Sequence, residues 1–158
     1  MGLKTWFYRG GHPNRLARLL DRATAALYAR GVAPNRLVTL EVAGRSSGRI
    51  VMLPLVMTVV GGERYLVSML GGGANWVRNV RAARGEVVLR HGRRERVRLE
   101  EVGPERRAPV LKAYLHRAPN ARAHLPVGKN APLAEFERVA SGYPVFRVVS
   151  KGEAGGAG

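Results

Sequence analysis

The chain has 158 residues, with 46% hydrophobic and 24% charged residues, which is typical of one soluble globular domain. It contains no cysteine, which excludes disulfide bonds, thiolate metal sites and cysteine nucleophiles. Its 27 basic residues outnumber 11 acidic ones and give a net charge of +16, with arginine strongly preferred over lysine. This excess favours an anionic partner, although codon usage in a GC-rich genome would produce the same total.

The sequence also predicts where the protein resides. Residues 1–9 lack the apolar core of a signal peptide. The longest apolar run, Ile50–Val60, is shorter than the roughly 20 residues of a membrane-spanning helix. We therefore expect a cytoplasmic protein, with membrane association on the inner face as an open alternative.

The first predicted element is an amphipathic helix over residues 13–30. Its apolar residues recur at spacings of three and four, and arginines occupy the other face. We favour packing of this helix on the domain, with its arginines in water. The alternative is peripheral membrane contact through residues 3–30, which include three aromatic residues ahead of the helix.

The middle of the chain predicts a mainly β structure with flanking helices, an α+β fold built on a small closed barrel. Six segments read as strands: 37–42, 50–60, 64–68, 87–90, 93–102 and 144–149. Helices are predicted at 75–84, 104–115 and 133–141, and the irregular stretch 119–132 reads as a lid. We divide the chain into an N-terminal helical region (1–34), a barrel domain (35–150) and a flexible tail (151–158).

The turn between the first two strands, Gly44–Arg49, is the strongest candidate for a binding element. Its two glycines permit a tight reversal of the chain. Hydroxyls and amides supply neutral hydrogen-bond donors, and Arg45 and Arg49 supply charged ones, a combination that suits phosphate or carboxylate. We predict that this turn holds the anionic tail of a bound cofactor.

Signatures of several enzyme classes are missing. The four histidines show no metal-ligand spacing with carboxylates, so we predict no metal site. The sequence has no Walker pattern, no Gly-x-Ser-x-Gly elbow and no Rossmann glycine fingerprint. These absences disfavour hydrolysis and phosphoryl transfer. They favour a groove that binds an anionic molecule, with the chemistry supplied by that molecule.

An ordered series of short motifs resembles a known family. Gly44–Arg49 is followed by Pro54-Leu55, by Ser68 and Gly71-Gly72, by Trp76–Asn79, and by a closing strand that begins at Tyr143-Pro144. In this order the motifs resemble the deazaflavin-dependent nitroreductase family, over residues 35–150. The resemblance implies a six-stranded split β-barrel of the FMN-binding-like class.

The resemblance further implies an oxidoreductase that uses reduced coenzyme F420, an 8-hydroxy-5-deazaflavin. Hydride would pass to a hydrophobic acceptor such as a quinone, a nitroaromatic or an enone. The implied catalytic residues are Ser68 and Tyr114. The implied cofactor-binding residues are Arg45, Ser46, Ser47, Gly48 and Arg49 for the tail, Met52, Leu53, Pro54 and Leu55 for the ring, and Ser68, Met69, Gly71, Gly72, Asn75, Trp76 and Asn79 for the segment that closes over it.

Other interpretations remain open. FMN is the alternative cofactor, because its phosphate suits the same turn. A non-catalytic basic barrel that binds an anionic partner is the alternative function. Specific nucleic-acid binding is disfavoured, because aromatic residues make up only 6% of the chain and are scattered. Taken singly, Trp76, Asn79 and Tyr114 fit core or capping roles as well as cofactor contacts. Both a monomer and a homodimer are compatible with the sequence.

Overall fold

Six antiparallel strands form the centre of the structure, a computed structural model that describes residues 13–29, 36–118 and 126–151. They pair in the order β1-β2-β3-β6-β5-β4, and β4 pairs back with β1. The predicted closed six-stranded barrel is therefore confirmed. The strands are β1 (Leu37–Ala43), β2 (Ile50–Val60), β3 (Glu63–Val67), β4 (Glu86–His91), β5 (Arg93–Glu101) and β6 (Val145–Ser150).

Four α-helices flank the barrel in the described part of the chain. They are α1 (Pro13–Ala29), α2 (Asn75–Ala82), α3 (Ala108–Arg117) and α4 (Leu133–Val139). The predicted helix over 104–115 is divided into a 3-10 turn, Pro104–Arg106, and α3. Pro109 explains the division, because a proline lacks the amide hydrogen and tolerates only the first turn of a helix. The segment predicted as helix at 133–141 likewise ends in a 3-10 turn, Ala140–Gly142.

Some predictions concern residues outside the described ranges. These are the segment ahead of α1, the connection at 30–35, the centre of the predicted lid at 119–125 and the tail from residue 152. The division of the chain into three regions stays a prediction.

The barrel is filled by an interior cluster of apolar side chains. Alternate residues of each strand point inward, as the two-residue period of a strand requires. Helix α2 adds Trp76, Val77 and Val80 to this cluster. The strand members are Val38, Leu40, Val42, Leu66, Val87, Leu89, Val97, Leu99, Phe146 and Val148. The interior is thus a packed core rather than a pore.

A second, outer cluster lies between the barrel wall and the later helices. Val56, Val67 and Val145 point outward from their strands and pack with Leu111 of α3 and Phe136 of α4. Helix α3 packs against β2 and β3, and α4 packs against α3. Helix α1 also packs against β2, in agreement with the packing on the domain that its sequence favoured. These helices cover one side of the barrel.

Arg107 connects the start of α3 to the segment that enters β6. Its buried guanidinium donates to the carbonyl oxygens of Val102 at 2.8 Å and Ala140 at 3.1 Å. It also lies 3.3 Å from a carboxylate oxygen of Glu101. Because burying an arginine without partners is costly, this set of acceptors fixes the 3-10 turn beside the end of β5.

Candidate functional site

The β1–β2 turn is tight and exposed at one end of the barrel. The Gly44 amide donates to the Arg49 carbonyl at 2.7 Å, and the Gly48 amide donates to the Gly44 carbonyl at 2.9 Å. Gly48 has a φ of +72°, a conformation that favours glycine. The Ser47 hydroxyl oxygen accepts from the Arg49 amide at 3.1 Å, which leaves the hydroxyl hydrogen to donate elsewhere. Ser46, between Arg45 and Ser47, is exposed.

Arg45 is held by two asparagines of α2. The Oδ1 atom of Asn79 accepts from the Arg45 backbone amide at 3.1 Å and from its Nη1 at 2.8 Å. The Arg45 Nη2 donates to Oδ1 of Asn75 at 3.3 Å. The structure thus brings three predicted site residues together, at the junction of the turn and the helix.

The partners of Arg45 are neutral, which distinguishes it from most other arginines with side-chain hydrogen bonds. Within the described ranges Arg45 forms no ion pair, whereas a glutamate binds each of Arg64, Arg81, Arg94, Arg98, Arg138 and Arg147. The positive charge of Arg45 is therefore fixed in place without being neutralised by a carboxylate.

The electrostatics of the α2 start add to this charge. Asn75 is the first residue of α2, and the preceding Ala74 provides no side-chain cap. The first turn of α2 contains no acidic residue. The positive end of the helix dipole thus lies beside the Arg45 guanidinium. The helix N-terminus and the guanidinium are both positive and repel each other, and a bound anion would relieve this repulsion.

The glycine segment after β3 is organised by Ser68. This residue is fully buried, and its hydroxyl donates to the Gly71 carbonyl at 2.7 Å. Gly71 has a φ of +80°. A Cβ atom on Gly72 would lie 3.5 Å from Nη1 of Arg81, so the segment runs close to α2. Met69 packs against the outer cluster. The Ser68 hydroxyl hydrogen is therefore directed at the backbone.

The four predicted ring-side residues of β2 lie on two faces of the strand. Leu53 and Leu55 pack against the interior cluster. Met52 and Pro54, which alternate with them, lie on the outward face and pair with Glu41 and Thr39 of β1. Only the second pair belongs to the outward wall of the barrel, the side on which α1 and α3 pack against β2.

Trp76 and Tyr114 are both buried, in different clusters. Trp76 belongs to the interior cluster and Tyr114 to the outer one. Burial raises the pKa of the Tyr114 phenol to about 12, so this side chain is a neutral phenol at physiological pH. The barrel wall therefore separates these two predicted site residues.

Arg78 is a residue of this region to which the sequence interpretation gave no role. It is exposed on α2, three positions after Asn75, and forms no ion pair with a described residue. Arg49 likewise has no ion-pair partner in the described ranges. The signal for Arg78 was its three-residue spacing from Asn75, which places both on one helix face.

Acidic residues and histidines are scattered over the described part of the chain. No three or more of them are arranged there to hold a metal ion. Among the described helices, none has the length and apolar character that crossing a membrane requires.

Comparison with known proteins reveals likeness in structure. No protein-family model and no curated protein matches the sequence. A protein of unknown function from Agrobacterium tumefaciens superposes with a TM-score of 0.54 at 14% identity, over 80% of this chain and 54% of that one. The present chain thus spans about half the length of that protein.

Two other solved structures are similar over more of their length. An F420-H2 dependent reductase has a TM-score of 0.52 and 22% identity, over 74% of this chain and 96% of that one. A protein described as a domain-swapped dimer has a TM-score of 0.52 and 20% identity, over 93% and 99%. At these identities the likeness concerns the fold, and it confirms the predicted split β-barrel of the FMN-binding-like class.

Proposed function

We propose that the protein is an oxidoreductase that binds coenzyme F420 and passes hydride to a hydrophobic acceptor such as a quinone, a nitroaromatic or an enone. On this proposal the protein is a member of the deazaflavin-dependent nitroreductase family. The fold shared with an F420-H2 dependent reductase is compatible with this assignment. The observation that carries it is the geometry around Arg45.

The donors around the β1–β2 turn fit a phosphate group. Arg45 offers a charged fork whose position is fixed by Asn79 and Asn75. The Ser47 hydroxyl and the uncapped amides at the start of α2 add neutral donors. Because no described carboxylate pairs with Arg45, an arriving phosphate does not have to displace one.

The remaining predicted residues define how the chain would orient the ring. Met52 and Pro54 offer an apolar wall on the outward face of β2, and Leu53 and Leu55 support that wall from inside. The glycine segment at 71–73 gives the backbone room to approach a flat ligand. The bound deazaflavin supplies the hydride, and the chain contributes orientation and exclusion of water.

Tyr114 is the better of the two predicted proton donors. A tyrosine phenol carries a proton at physiological pH, and burial raises the pKa of Tyr114 further, to about 12. The Ser68 hydroxyl is committed to the Gly71 carbonyl. We assign to Ser68 the shaping of the glycine segment, and to Tyr114 a hydrogen bond or proton for the acceptor.

Two proposals concern partners. Similarity to a domain-swapped dimer supports a homodimer. We further propose that the protein is cytoplasmic. Exposed Leu19 lies between exposed Arg18 and Arg22 on α1, which supports peripheral contact with an anionic membrane through residues 3–30. A lipid-soluble acceptor would be compatible with such contact.

The test of the function is a fluorescence titration of the purified chain with F420 and, separately, with FMN. We expect F420 to bind, and the double variant R45A/R49A to bind it about 100-fold more weakly, because two charge-assisted contacts are lost. The matched control is Arg96→Ala, since Arg96 is exposed on β5 and has no ion-pair partner in the described ranges.

Turnover of the reduced cofactor with a quinone and with a nitroaromatic then tests the reaction. Binding of FMN in preference to F420 would assign FMN as the cofactor in place of F420. Failure of both to bind, or equal binding by R45A/R49A and the control, would refute the proposed function.

A further inference from the structure

We propose that Asn79 is a positioning residue that fixes the Arg45 guanidinium while leaving its charge available to a phosphate ester. This deepens the proposed function, on which it rests for the identity of the bound anion. It assigns to Asn79 an action through Arg45 rather than the direct cofactor contact that the family resemblance implied.

The hydrogen bonds around Asn79 support this role. Asn79 is 4% exposed, and its Oδ1 accepts from the backbone amide and from Nη1 of the same residue, Arg45. Two bonds to one acceptor close a ring through the Arg45 side chain and restrict its rotamers. Asn75 holds the other terminal nitrogen at 3.3 Å. An amide oxygen accepts hydrogen bonds and cannot donate one to an anionic ligand, so Oδ1 of Asn79 acts on Arg45.

It is informative that residue 79 carries an amide rather than a carboxylate. An aspartate has nearly the same shape and would accept both bonds at least as strongly, but it would neutralise the guanidinium. Arg81, on the same helix, is neutralised in this way by Glu101 at 2.7 Å. A side chain that orients arginine and adds no charge leaves the net attraction for an anion intact.

The position of Asn79 is also rigid. Its neighbours Trp76, Val77 and Val80 are buried in the interior cluster, so α2 cannot shift without disturbing the barrel core. The acceptor is therefore placed before any ligand arrives. Pre-organisation of this kind lowers the ordering cost of binding.

The experiment measures binding of inorganic pyrophosphate to the full chain by calorimetry. We expect Asn79→Asp to fold with a melting temperature near that of the wild type and to bind pyrophosphate about tenfold more weakly. The matched control is Asn130→Asp, which adds the same charge at an exposed position ahead of α4. Asn79→Ala, which removes the acceptor but adds no charge, should lose less affinity and more stability than Asn79→Asp.

The background R45A separates positioning from direct contact. There, Asn79→Ala should cost no further affinity, because no guanidinium is left for Asn79 to position. The guanidinium NMR signal of Arg45 should shift on addition of pyrophosphate in the wild type and in the Asn130→Asp control, and much less in Asn79→Asp. A purely structural role would leave this signal and the affinity of folded Asn79→Ala unchanged.

Three results would overturn the inference: equal affinity of Asn79→Asp and Asn130→Asp, an equal loss of affinity for Asn79→Ala with and without Arg45, or no pyrophosphate binding by the wild type. The expected pyrophosphate pattern in a chain that binds neither flavin would support the role of Asn79 and refute only the cofactor assignment.

Discussion

Trp76 of α2 packs against Phe146 of β6, with ring centroids 5.6 Å apart and planes inclined by 57°. Tilted aromatic pairs of this kind are favourable beyond the area that they bury. Trp76 is only 8% exposed, so its main contact is the barrel interior. This pair attaches α2 to the barrel, and α2 carries the two asparagines that hold Arg45.

We expect Trp76→Ala to lower the free energy of unfolding by about 3–5 kcal/mol, because it leaves a cavity in the interior cluster. Where the variant still folds, it should also bind pyrophosphate more weakly, since α2 is no longer held firmly. Urea denaturation and calorimetry measure the two effects.

The comparison for this variant is Leu70→Ala. Leu70 is 71% exposed, so its truncation should change stability by no more than about 0.5 kcal/mol. Equal stability of the Trp76 and Leu70 variants would contradict the assignment of Trp76 to the core.

Arg78 should contribute to anion binding through its charge alone. It is exposed beside Asn79 and lacks an ion-pair partner in the described ranges. We expect Arg78→Ala to weaken pyrophosphate binding about threefold at low ionic strength, with a smaller loss at high salt, because exposed charges are screened. A salt-series titration of Arg78→Ala against Arg96→Ala tests this. An equal effect of the two variants would assign Arg78 only to the general positive field.

The strands and the barrel follow from local patterns in the sequence. Two-residue alternation and glycine turns identified all six strands, and the short connections between most of them favoured antiparallel closure. The break at Arg107 required attention to Pro109, whose effect on a helix is also local. Such features depend on neighbouring residues, so one sequence is enough to predict them.

The contacts of the site depend on residues that are distant in the chain. Arg45 and Asn79 are 34 positions apart, and no local pattern indicates that one holds the other. β2 is apolar on both faces, so its sequence did not distinguish Leu53, which points inward, from Met52, which does not. The partner of the Ser68 hydroxyl likewise depends on the path of the backbone through Gly71.

An ion pair at the end of the barrel opposite the β1–β2 turn should make the stability of the fold depend on pH. Arg64 binds Glu95 through two parallel contacts of 3.0 Å, and the Ser150 hydroxyl donates to the same carboxylate at 2.8 Å. The hydrogen bond from Arg64, with that of Ser150, holds the pKa of Glu95 below its ordinary value. A carboxyl with a lowered folded-state pKa stabilises the fold above its unfolded pKa, and the contribution disappears as pH falls through the folded value.

We therefore expect Glu95→Gln to lower the free energy of unfolding by about 1–2 kcal/mol at neutral pH, with the difference from wild type shrinking below about pH 4. Urea denaturation at a series of pH values measures this. Exposed Glu137 forms no ion pair in the described ranges, and Glu137→Gln is the control. A difference between Glu95→Gln and wild type that persists undiminished at low pH would contradict the ion pair as its cause.

The link between α2 and β4 requires glycine at position 85 for two separable reasons. Gly85 has a φ of +81°, and a Cβ atom there would lie 2.3 Å from the Leu99 carbonyl oxygen. Gly92 has a φ of +82°, but a Cβ atom there would meet no other atom within 4 Å, and Gly73 has neither constraint. We expect Gly73→Ala to leave the free energy of unfolding nearly unchanged, and Gly92→Ala to lower it by about 1 kcal/mol through backbone strain. Gly85→Ala should lower it by more than about 3 kcal/mol or prevent folding, because the obstructing Leu99 atoms belong to the backbone and cannot move aside. Thermal and urea denaturation of the three variants measure the order, and a Gly85 variant no less stable than the Gly92 variant would show that the close approach to β5 does not constrain the chain.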